Sequence, residues 1–161
     1  MEESYPKPEE VAELYSTLSG YFEKINNSES ALTCIQKVKT LYEELYSPDD
    51  KRVIKARRKI ATALLKSERY KEAVTELLEI SKLEEKIFGE TIQLARTLKL
   101  LGTVYISLEI GDARVYLKRA MDIFQSLGNK KQVQEIKEKL KNLLNDNHAE
   151  IDVNVISEQD I

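Results

Sequence analysis

Cysteine, histidine, glycine and proline are all scarce in this 161-residue chain, and each scarcity closes off a class of structure. The single cysteine, Cys34, excludes an intramolecular disulfide framework and leaves no cysteine-based zinc cluster. The single histidine, His148, lies near the C-terminal end in a segment without helical periodicity, a poor position for a catalytic base or a metal ligand. Five glycines and three prolines supply little material for sheet turns or flexible linkers. No apolar run approaches the length of a membrane span. The opening Met-Glu-Glu-Ser-Tyr-Pro-Lys-Pro has neither the basic region nor the apolar stretch of a secretory signal. A reducing, cytoplasmic setting is therefore the expectation, and Asn26-Asn27-Ser28 reads as a polar turn rather than a glycosylation acceptor.

What the chain does contain is helix. Hydrophobic residues make up 42% and charged residues 33%, enough for one packed core under polar helix faces. The net charge of −3 is uneven. Residues 145–161 hold five acids and no base, leaving the rest with 23 acids against 25 bases. This near-neutral body gives no electrostatic case for nucleic acid or membrane.

Residues 1–8, with Pro6 and Pro8, read as an extended lead-in. Residues 9–144 read as one helical domain and 145–161 as an acidic, disordered tail. A first helix over about 9–24 carries Val11, Leu14, Tyr15, Leu18 and Phe22 at helical spacing, and Ser28 is placed to cap a second over about 28–46. Further helices are expected near 50–66, 70–87, 90–108 and 112–127, with stops at Gly89 and Gly128. A seventh, 130–144, with Asn129 as its cap, is polar outside one stripe. It suits the terminal cap that stacked arrays need.

The spacing of these helices repeats. Ala31 and Ala73 are 42 residues apart, as are Val38 and Ile80, and Leu45 and Ile87. Closely crossing helices need a small residue at the contact, once per pair. Ser19, Ala61 and Gly102 would supply it on each first helix, and Ala31, Ala73 and Ala113 on each second, with Ala120 following. A recurrence of this length marks a stacked helical array. Ile60-Ala61, Leu64, Tyr70, Ala73, Leu77 and Ile80, ending in Lys86-Ile87-Phe88-Gly89, resemble the tetratricopeptide repeat (TPR), in the roughly 42-residue variety of kinesin light chains. So do Leu101-Gly102, Tyr105, Ala113, Leu117, Ala120, Ile123 and Leu127-Gly128. The resemblance covers about residues 12–144. It implies an all-α, right-handed α-solenoid of three antiparallel helix pairs plus a C-terminal capping helix. Two spacings depart from it: Gly102 to Ala113 is one residue shorter than Ala61 to Ala73, suggesting a tighter or shifted turn, and Ala73 to Ala113 is 40 residues.

The resemblance further implies a concave groove lined by the first helix of each pair. On this chain that face carries Glu13, Ser16, Gly20, Glu23 and Lys24; then Lys55, Arg58, Thr62, Leu65 and Lys66; then Arg96, Lys99, Thr103, Ile106 and Ser107. The bases would suit an acidic peptide, with Leu65 and Ile106 seating an apolar residue. The alternative is that these bases simply solvate exposed helix faces. Chaperone-binding members of the family read a terminal carboxylate with a Lys/Asn set, and Thr62 and Thr103 stand here instead. The acidic tail could also fold back onto the bases.

No constellation for catalysis stands out. Leu127-Gly128-Asn129-Lys130 has too few glycines for a phosphate loop, and Asp49-Asp50 lacks calcium-loop spacing. Neither Glu43/Glu44 nor Glu84/Glu85 points jointly into a cleft. The eight tyrosines have no interleaved basic stripe for nucleic acid. The expectation is a non-enzymatic protein–protein interaction adaptor for an acidic or mixed acidic/apolar peptide, without cofactor or metal. The alternative is a structural assembly or self-association module, or the C-terminal end of a longer array.

Overall fold

The computed structural model describes residues 5–146. These form seven helices and no strand: α1 Pro8–Lys24, α2 Ser28–Leu45, α3 Lys51–Lys66, α4 Tyr70–Phe88, α5 Ile92–Leu108, α6 Ala113–Ser126 and α7 Lys130–Asp146. The expected disordered tail, its fold-back and His148 lie outside the described residues, apart from the last residues of α7.

Side-chain caps set most of the helix starts. Asn27 accepts from Ser30 N–H at 3.1 Å, so the cap of α2 falls one residue before the expected Ser28. The amide oxygen reaches the third residue beyond it, which a side chain already inside the helix cannot do. Asp50 caps α3, Thr91 caps α5 and Asp112 caps α6. Asn129 accepts from Gln132 N–H at 3.3 Å, as its position before α7 predicts.

Four helices end in one recurring device. After α1, Asn26 adopts φ 57° and Asn27 N–H donates to Phe22 C=O at 2.9 Å. After α3, Glu68 has φ 58° and Arg69 N–H donates to Leu64 C=O at 2.9 Å. Glu109 with Ile110–Tyr105, and Gly128 with Asn129–Phe124, repeat the arrangement. A left-handed residue followed by this longer hydrogen bond satisfies carbonyls that the helix leaves unpaired. The first two copies sit 42 residues apart.

The turn from α5 to α6 is not tighter than the others. It takes four residues, 109–112, where the turn from α3 to α4 takes three, 67–69. The shortfall arises at the start of α6: Ala73 is the fourth residue of α4, whereas Ala113 is the first of α6, and a longer turn and a longer end of α5 restore two of those three positions. "Shifted" describes this pair.

The chain divides into two compact units between Ile87 and Phe88. In the first, Ala12, Leu32, Ile35, Val38, Ala56, Ile60, Ala63, Leu64 and Ala73 form a buried cluster, with Tyr15, Leu41, Tyr42 and Leu65 packed against it. In the second, α6 packs on both α5 and α7, and Leu101, Leu117, Ile123, Phe124 and Ile136 are fully buried. The apolar residues of α1 divide between two sides of the helix. Leu14 and Leu18 belong to the exposed side, while the side facing α2 is built from Ala12, Tyr15, Ser19 and Phe22. The apolar residues of α1 spread over about half of its circumference, wider than one contact stripe, so spacing alone could not separate its two faces.

Candidate functional site

The helix α3 carries seven cations and no carboxylate (Lys51, Arg52, Lys55, Arg57, Arg58, Lys59 and Lys66). Arg52, Arg57 and Arg58 are held by acids within the first unit. Arg52 makes a two-pronged contact with its own N-cap, Nε to Asp50 Oδ1 and Nη2 to Asp50 Oδ2, both at 2.9 Å. This contact, and the Arg52 backbone N–H, lower the Asp50 pKa to about 2. Arg57 Nε donates to Glu76 Oε2 on α4 at 2.9 Å, and Lys39 of α2 approaches the same carboxylate at 3.7 Å. Arg58 pairs with the buried Glu84 of α4.

Lys55, Thr62 and Lys66 are exposed. Spaced by seven and four residues, they share one face of α3. Thr62 returns its hydroxyl to Arg58 C=O at 3.0 Å, and Leu65 is half-buried against the core at the edge of that face. On α1, Glu13 and Lys24 are exposed, and Ser16, Gly20 and Glu23 are half-buried.

In the second unit Arg96 is exposed on α5. Lys99, three residues on, donates its ammonium to Gln132 Oε1 at 2.6 Å and Glu135 Oε2 at 2.8 Å, both on α7. That contact lowers the Glu135 pKa. Thr103 is half-buried and its hydroxyl donates to Lys99 C=O at 2.9 Å, while the exposed Ser107 does the same to Thr103 C=O at 3.3 Å. Ile106 lines a cleft of about 530 Å³ with Tyr105, Ile110, Gly111, Arg114 and Leu143, among others. The Tyr105 and Tyr116 hydroxyls lie 3.3 Å apart. This contact, with burial, raises the Tyr116 pKa to about 12.

The small residues expected at helix crossings are all buried: Ser19, Ala31, Ala61, Ala73, Gly102, Ala113 and Ala120. Gly102 shows the tightest need. A Cβ there would lie 2.6 Å from Leu117 Cγ and 3.2 Å from Ala113 O.

The sequence holds a signal for the Glu84 end of the Arg58–Glu84 pair. Leu77, Ile80, Ser81 and Glu84 follow the 0, 3, 4, 7 spacing of one helix face, which puts a glutamate on the core stripe of α4. Among the described residues no three His, Cys, Asp or Glu side chains are grouped to hold a metal, and no helix is long and apolar enough to cross a membrane. Cys34 is buried, and burial pushes its thiol pKa up.

Residues 52–126, from the start of α3 to the end of α6, match the tetratricopeptide repeat family. No curated protein matches the chain in sequence. Among solved structures, BtubC (BKLC) from P. vanneervenii is 14% identical with a TM-score of 0.66, over 93% of this chain and 70% of that one. Aspartyl phosphate phosphatase F from Bacillus subtilis is 20% identical with a TM-score of 0.68, over 86% of this chain but only 38% of its own. The nearly identical TPR-like repeats designated a kinesin light chain of Podosopora anserina are 12% identical with a TM-score of 0.61, over 91% and 80%. At such identities the likeness is one of fold: an all-helical, TPR-like α-solenoid arrangement of paired helices.

Proposed function

We propose that this chain is a protein-interaction adaptor whose α3 face receives an acidic segment of a partner peptide. The observation that carries the reading is the excess of cations on α3: after Asp50, Glu76 and Glu84 take Arg52, Arg57 and Arg58, Lys55 and Lys66 still stand exposed on one face around Thr62. Leu65 at its edge offers an apolar contact beside the charges, suiting a peptide that mixes Asp or Glu with an aliphatic residue. Lys side chains are flexible point charges, so such a face selects acidity more than a fixed bidentate geometry. In the second unit Arg96 and Ile106 offer the same two chemistries on α5.

Recognition without chemical change is part of this reading. So is a reducing, cytoplasmic setting, consistent with one buried cysteine. The 42-residue spacing of the left-handed residues Asn26 and Glu68 supports assignment to the longer repeat variety. Arg58 and Lys99 act here as internal ties, so reversing their charge would disturb folding as well as binding. The discriminating variant is Lys55→Glu with Lys66→Glu. With unchanged circular dichroism, its undiminished binding of acidic peptides would remove the α3 face from consideration.

A further inference from the structure

The exposed side of α1 carries an apolar seam. Leu14 is 64% exposed, Leu18 45%, Tyr21 58% and Ile25 52%. Their spacings of four, three and four residues, extended backward by the half-buried Val11, are those of the contact line in a two-stranded coiled coil. Ala12 and Ser19, on the opposite side of the helix, are buried against the rest of the first unit. The seam is thus a second apolar face, additional to the one that packs α1 into its own fold. Single exposed apolar residues need no explanation, but three in register on one helix, with Ile25 continuing the line at its C-cap, do.

We propose that α1 pairs antiparallel with α1 of a second copy of this chain, forming a two-fold dimer. The charges along one edge of the seam point to this occupant. Glu10 and Lys24 stand on the same edge, two heptads apart, with Thr17 midway between them. Antiparallel pairing about a two-fold axis near Thr17 sets Leu14 against the second copy's Leu18 and Val11 against its Tyr21. The same register brings Glu10 beside the second copy's Lys24, and symmetry makes every contact twice. A parallel pairing would set Glu10 beside Tyr15 and Thr17 beside Phe22. Those aromatic residues are already half-buried in their own helix pair, and no opposite charges would meet. Glu10 is exposed, and its Oε2 accepts Lys7 N–H at 3.2 Å, a bond that does not engage Oε1. This inference is independent of the peptide-binding reading, because the α3 face takes no part in the seam.

Sedimentation velocity on the whole chain over a range of concentrations tests it. A monomer–dimer equilibrium is expected in the wild type, with Leu18→Glu monomeric and its circular dichroism unchanged. Lys24→Glu places like charges together at both ends of the interface and weakens the dimer about tenfold. Adding Glu10→Lys to Lys24→Glu restores the pairing and recovers most of that loss, which a different partner surface would not produce. A wild-type chain monomeric up to about 0.5 mM would overturn the proposal, since that bounds the interaction below any useful affinity. Persistence of the dimer in Leu18→Glu would overturn it as well, and so would failure of the double charge swap to recover it.

Discussion

Arg58 on α3 and Glu84 on α4 form an ion pair whose two ends meet very different surroundings: the Glu84 side chain is 1% exposed and the Arg58 side chain 27%. A carboxylate buried this far needs its cation, because desolvation without compensation is far more costly than the pair's net contribution is favourable. Arg58→Met should therefore destabilise the chain by about 3 kcal/mol, read from the denaturant midpoint. Replacing both residues together, Arg58→Met with Glu84→Leu, should recover most of that loss. Equal destabilisation by the single and double variants would show that the pair is not what holds the two helices.

Two glycines in helix interiors should respond to alanine in opposite directions. At Gly20 an added Cβ meets nothing within 4 Å, so Gly20→Ala should stabilise by about 0.5–1 kcal/mol through the lower entropy of the unfolded chain. At Gly102 the Cβ would collide with the buried Leu117 and crowd the Ala113 carbonyl. Overpacking there outweighs the helix-propensity gain, and Gly102→Ala should cost about 1–2 kcal/mol. Thermal melts of the two variants, run side by side, provide the comparison.

Glu68 occupies a left-handed conformation that L-residues adopt at a cost, while the equivalent position after α6 is Gly128. Glu68→Gly removes the steric penalty against an opposing gain in chain freedom, so a net stabilisation of about 0.5 kcal/mol is expected. The reverse change, Gly128→Ala, should lower the melting temperature.

Much of this architecture is legible in the sequence, and the places where it is not have physical reasons. Helix ends are set by neighbours within five residues, so Asn129 and Gly128 announce themselves, and the Asn27 cap is displaced from Ser28 by only one residue. The small buried residues show through their recurrence at intervals of 40–42 residues. The fates of Arg58 and Lys99 do not show, because their partners lie 26 and 36 residues away on other helices, and any long cation reads the same in isolation. The exposed seam of α1 was masked by its resemblance to a core stripe, since Leu14 and Leu18 satisfy helical spacing whichever way they face.

Acid should weaken the fold in a defined window. Arg52 lowers the Asp50 pKa to about 2, and Arg69, Arg114 and Lys99 lower those of Glu72, Asp112 and Glu135. Each carboxylate binds its proton less tightly in the folded chain than in the unfolded one. The associated stability is complete above the ordinary carboxylate range, about 4–4.5, and is lost as pH falls below it toward 2. The thermal midpoint should hold steady from pH 7 to about 5 and then fall, and Asp50→Asn should make the fall shallower. A midpoint independent of pH down to 2 would show that these contacts do not persist in solution.

Selection from a random peptide library, with the wild-type chain and the Lys55→Glu, Lys66→Glu variant in parallel, reads out the proposed preference of the α3 face for acidic peptide. The expected result is enrichment by the wild type of sequences carrying Asp or Glu next to an aliphatic residue, lost in the folded variant and weakened by salt. Wild-type enrichment without acidic bias, or the same acidic sequences recovered by both proteins, would contradict it.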